Sequence, residues 1–187
     1  AKLYPPLQQR CQAILRDAFL RQPPIPLEAP PDALASVARR GEGWAGVWAV
    51  PRGAEAAEGP WPPVARLRVL YQGRALTERS APSPLGPMEG TVTADALQPD
   101  ESFGDVVTDL AWQALDRATA EAGPALLEAV VRALDGPLEA DRARARAWLL
   151  HAAAAPFPTG ESAGLWRELR QAASSPADGR DRYAQLL

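Results

Sequence analysis

The hydrophobic spacing of this 187-residue chain changes period near residue 100, and that change constrains its fold more than any other feature. Before it, short runs alternate apolar and polar side chains, as a half-buried strand requires, and proline-rich stretches separate them. After it, apolar residues recur at helical spacing between Gly and Pro stops. The expectation is an α+β protein. A small antiparallel sheet of three or four strands with N-terminal helices precedes a C-terminal helical bundle, and helix predominates. Residues 1–98 form the mixed region and 99–187 the helical one, as two parts or one continuous domain, with 80–90 as the boundary candidate.

Within the first region, Pro5 and Pro6 suit the opening turn of a helix that carries Leu7, Cys11, Ile14, Leu15 and Phe19 near helical spacing. The segment QPPIPLEAPP (22–31) stops it and reads as a spacer or a polyproline II ligand. Residues 32–41 read as a short second helix, opened by Asp32 and closed by Gly41. Residues 44–50 read as a strand. Residues 64–78 read as a hairpin turning at Gln72-Gly73, in which Ala65, Leu67, Val69 and Tyr71 alternate with Arg66 and Arg68. Residues 90–94 are a candidate fourth strand. In the second region, helices are expected from Phe103 to a stop at Gly123, then over 124–135, 138–155, 161–174 and 180–187.

The chemistry of the chain is narrow. It holds one lysine, one histidine, one cysteine, one methionine and no asparagine, against nineteen arginines. A GC-rich bacterial genome produces such a profile with no functional cause. Any nucleophile, base or proton relay must pass through His151, Cys11 or a carboxylate, which argues against a conventional enzyme. One cysteine excludes an internal disulfide, and one His with one Cys leaves no zinc ligand set. No metal and no cofactor is expected. Residues 1–12 contain no apolar signal-peptide core and no run approaches a membrane span, so the expectation is a cytoplasmic protein without membrane contact.

Two glycine patterns match well-known motifs, and both fail on context. Gly41-Glu42-Gly43-Trp44-Ala45-Gly46 has dinucleotide-fingerprint spacing, but an expected helix precedes it and a strand follows, the reverse of what a pyrophosphate site needs. Gly160-Glu161-Ser162-Ala163-Gly164 has nucleophile-elbow spacing, but no strand leads into it and the sole histidine lies upstream. Asp105 and Asp109, four apart in an expected helix, offset its dipole without a metal.

Charge adds a further constraint. Net charge is −3, with 11 basic and 9 acidic residues over 1–99 but 9 basic and 14 acidic over 100–187. That balance disfavours binding of nucleic acid by the whole surface. The residues with the strongest binding character are Trp44 and Trp48 on one strand face, Trp61 in a proline-rich loop, Arg66 and Arg68 on the next strand, and Arg74 and Arg79 on its return. A tryptophan row can stack bases, sugars or peptides, and is equally what a strand's core-facing side shows. The leading expectation is a non-catalytic interaction protein, an adaptor, chaperone-like or assembly subunit with a protein partner or self-association. The alternative is a nucleic-acid or anionic-ligand module using the Arg/Trp sheet face.

Overall fold

The structure is a computed structural model, described over residues 5–51, 64–83 and 87–154. A helix, α1 (Pro5–Leu20), leads into five strands: β1 (Ala33–Gly41), β2 (Trp44–Pro51), β3 (Val64–Tyr71), β4 (Arg74–Pro82) and β5 (Met88–Ala94). Two helices follow, α2 (Leu110–Ala133) and α3 (Glu139–Ala154). The strands form one sheet in the order β1-β2-β5-β3-β4. The α+β class holds. The sheet has five strands rather than three or four, and it is mixed, because β5 inserts between the two hairpins and runs parallel to β3.

The alternating segments fold as their patterns require. The β3–β4 hairpin turns at Gln72 (φ 49) and Gly73 (φ 73), the paired positive φ values whose twist matches that of the flanking strands. Residues 32–41 are not a helix; all but Asp32 form β1, an edge strand paired with β2 from Ala35↔Val50 to Gly41↔Trp44. Its Ala- and Arg-rich composition favours helix only weakly, and pairing overrides it. Gly43 (φ 69) closes the turn, and Arg39 Nη1 donates to the Glu121 carbonyl of α2 at 2.9 Å.

The helical region differs from expectation at the start of α2 and at its middle. Residues 103–109 are irregular, and α2 begins at Leu110, after Asp109 accepts from the amides of Ala111 (2.9 Å) and Trp112 (3.1 Å). It then runs through Gly123-Pro124, where a stop was expected. An interior proline costs about 3 kcal/mol, whereas burying each of Leu126, Leu127 and Val130 yields about 1.5–3 kcal/mol, so burial wins. The expected helices at 161–174 and 180–187 lie outside the described residues. Of the described residues, 40% are helical and 32% in strands, so helix does not dominate as expected.

One hydrophobic cluster takes residues from both regions: Trp48, Leu67, Val69 and Val92 from the sheet, Leu115, Leu126 and Val130 from α2, and Trp148 from α3. Both helices therefore cover a sheet face. Gly46 and Gly90 make room for the fully buried Trp48 ring: a Cβ on Gly46 would lie 2.4 Å from its Cη2, and one on Gly90 2.9 Å from its Cδ1. Among the described residues, no helix is long and apolar enough to cross a membrane.

Candidate functional site

The sheet's two faces have different chemistry, and strand register assigns each expected site residue to one of them. Trp48 pairs with Gly90 and Val37 on the face beneath α2, where its Nε1 donates to Thr119 Oγ1 at 3.2 Å. Trp44 shares that face, half-buried, with its ring edge-on to Trp48 at 6.2 Å. Arg66 and Arg68 alternate with the buried Ala65, Leu67 and Val69, so they lie on the opposite face. The tryptophans and these arginines thus do not meet. Trp61 lies outside the described residues.

The other two arginines are held by the protein itself. Arg74 Nε donates to the Gln22 carbonyl and its Nη1 to the Gln72 carbonyl, both at 3.0 Å, fastening the hairpin turn to the segment after α1. Arg79 lies on the face toward α2. Its Nε and Nη2 bond Asp105 Oδ1 (2.7 Å) and Oδ2 (2.9 Å) as a planar fork. Nη2 also donates to the Val106 carbonyl at 2.7 Å and Nη1 to Thr108 Oγ1 at 3.2 Å. The guanidinium carbon stands 4.6 Å from the Trp112 ring centroid. Arg79 thereby fastens residues 105–108 to the sheet edge.

The carboxylates around that latch titrate in different directions. Hydrogen bonding from Arg79 holds Asp105 below the ordinary carboxylate value. Asp100 is lowered first by the Ser102 hydroxyl, then by loop amides such as that of Gly104 (3.1 Å). Burial raises Asp116. Asp105 and Asp109, expected together on a helix, instead serve as the Arg79 partner and the α2 N-cap. Among the described residues, no three of His, Cys, Asp and Glu are grouped to hold a metal ion. His151 falls in α3, and Ser162 lies outside the described residues.

Of the expected site residues, Arg66 and Arg68 are the two that the structure places in one groove. They face a groove of about 470 Å³ between the sheet and the proline-rich segment 22–31, which lies over that face as a strap. The strap supplies Ile25, Pro26, Glu28, Ala29, Pro30 and Pro31; the sheet supplies Arg66, Arg68, Glu78, Glu89 and Thr91. Ile25 and Ala29, with Leu27 between them, are half-buried, while Pro26 and Glu28 are exposed. The strap is bonded at both ends, from the Ile25 amide to the Gly73 carbonyl (2.7 Å) and from the Ala33 amide to the Pro30 carbonyl (3.0 Å). Arg68 pairs with Glu78 at 3.4 Å. Reading 22–31 as a spacer missed Glu28 and the strap; the alternation of Ile25, Leu27 and Ala29 with Pro26 and Glu28 was the available signal.

A second surface lies on α1. Its inward line is Gln8, Gln12 and Phe19; Phe19 is buried against Tyr71 and Phe103, with ring centroids 5.9 Å away in each case. Gln8 Nε2 donates to Glu101 Oε2 at 3.1 Å. Leu7, Cys11 and Ile14 are offset from that line, whereas Leu15 falls on it, seven residues after Gln8 and four before Phe19. Leu7 is 48% exposed, Ile14 68% and Leu15 41%, and Cys11 between them is exposed too.

No known protein family matches this chain, and no curated protein is similar to it in sequence. Its function has to be read from these two surfaces.

Proposed function

We propose that this is a non-catalytic interaction protein, an adaptor, chaperone-like or assembly subunit, that works through protein–protein surfaces in the cytoplasm. One observation supports the reading above others: α1 turns Leu7, Cys11 and Ile14 to solvent while Gln8 and Gln12 face the body of the protein. A helix that only needed to pack would carry apolar residues at the Gln8 and Gln12 positions. Apolar side chains repeating along one exposed helical stripe are the surface a partner helix or a second copy covers. The single cysteine, which leaves no internal disulfide, supports the location.

The anionic-ligand reading has weaker support. Arg74 and Arg79 are occupied within the protein and Arg68 pairs with Glu78, so Arg66 is the remaining cation of the expected set. Glu28 and Glu89 line the same groove and would repel a phosphate.

Native mass spectrometry of the full chain recovered gently from its own cells tests the proposal, with a photo-crosslinker introduced at position 14. A protein partner or homo-oligomer crosslinked through α1 is the expected result. A bare monomer, or nucleic acid shed on raising salt, would overturn it.

A further inference from the structure

The strap–sheet groove has walls set by the protein itself. Prolines fix φ along the strap and remove backbone donors, and its ends are bonded at Gly73 and at Ala33. Its volume of about 470 Å³ falls within the range of small-ligand sites. Walls held in this way spare a ligand much of the ordering cost of binding.

The charges inside it are unevenly committed. Arg68 is engaged by Glu78. Arg66 and Glu89 are register partners on adjacent strands, yet among the described residues neither side chain has an ion-pair partner, and neither has Glu28 across the groove on the strap. One open cation and two open carboxylates thus line a slot whose other wall is the apolar Ile25 and Pro26. The complement is a molecule with one carboxylate, two cationic groups and an aliphatic stem between them.

We propose that this groove binds a small zwitterion of net charge +1, a basic amino acid or basic dipeptide. Its carboxylate is read by Arg66, its two cationic groups by Glu89 and Glu28, and its methylenes lie along Ile25 and Pro26. The site is separate from α1 and does not depend on the interaction reading.

Titration of the full ¹⁵N-labelled chain with L-arginine tests this, followed through the amides of Gly90 and Thr91. Saturable shifts there are expected. Arg66→Ala and Glu89→Gln should each weaken binding by roughly tenfold, the scale of one lost charge-assisted contact. Agmatine, which lacks the carboxylate, should bind the parent protein more weakly by a similar factor, and L-glutamate should not compete. Added salt should weaken the complex, because these groups are partly exposed. Unchanged melting curves would establish that the variants fold; should Arg66→Ala not fold, Glu28→Gln on the strap carries the same expectation. No saturable shift, shifts confined to residues outside the groove, or affinity unchanged by folded variants would each overturn the proposal.

Discussion

The indole of Trp48 donates to Thr119 Oγ1 at 3.2 Å, and the same hydroxyl donates to the Leu115 carbonyl at 2.8 Å, so one threonine joins the sheet to the turn of α2 above it. Both residues are buried, and Thr119 satisfies the one polar side-chain atom of Trp48, one of the largest side chains in the core. Replacing Thr119 with Val keeps the shape and leaves the indole N–H unbonded in an apolar setting. The expected loss is about 1–3 kcal/mol of unfolding free energy, read by urea denaturation. Thr119→Ser keeps the hydroxyl and should recover most of the polar part.

Trp48 sets a second requirement one strand position pair away. A Cβ on Gly46 would sit 2.4, 2.8 and 2.9 Å from three carbons of the indole ring, which is fully enclosed and cannot withdraw. Gly46→Ala should therefore destabilise by about 1–3 kcal/mol, the usual cost of overpacking. Gly73→Ala isolates the backbone effect, since nothing lies within 4 Å of a Cβ there and only its φ of +73° resists the substitution. Its cost should be about 1 kcal/mol, and the two melting temperatures should separate accordingly.

What the sequence revealed follows from the range of the forces involved. The β3–β4 hairpin was legible because its alternation and its Gln72-Gly73 turn are local. The β1 strand was not: Ala33–Gly41 has helix-compatible composition, and what makes it a strand is eight cross-strand positions on β2. The parallel β3–β5 contact was equally hidden, because nothing local to Met88–Ala94 names its neighbours. At the candidate site, Arg66 and Arg68 were correctly placed on one strand face, while Trp44 and Trp48 proved to be on the other face of the sheet. Arg79 was legible as a strand residue but not as a latch, since Asp105 lies 26 residues on, in a segment whose spacing imitated the start of a helix.

That latch should make the protein sensitive to acid. Arg79 bonds the ionised form of Asp105, so the folded pKa lies below the ordinary 3.8. The stabilisation is fully present above the unfolded value and is lost as pH falls through the folded one. Asp100, lowered by Ser102 and the loop amides, acts in the same direction. Asp116 acts in the opposite direction: burial raises it, so its ionisation opposes folding at higher pH and that opposition fades on acidification. The melting temperature should fall as pH drops from about 5 toward 2, and Asp105→Asn should flatten that fall. Arg79→Met, which keeps the stem over Trp112 but strands Asp105 and the Val106 carbonyl, should cost about 1–2 kcal/mol at neutral pH. A pH profile of Asp105→Asn as steep as that of the parent would remove the latch from the explanation.

The outward stripe of α1 should behave unlike any core position. Leu7 and Ile14 are about half or more exposed, so Leu7→Gln with Ile14→Gln should leave the unfolding free energy within about 0.5 kcal/mol of the parent. The same pair should abolish partner capture or self-association, because the removed area is what a partner would cover. Cys11 sits between them on the same stripe, exposed and one helical turn from each, and reports on that coverage directly. Maleimide should label it readily in the isolated monomer and at least roughly tenfold more slowly once the partner is bound, a ratio that follows from occupancy. Labelling at one rate in the free and bound states would move the interface off α1, whereas protection lost in the double glutamine variant would fix it there.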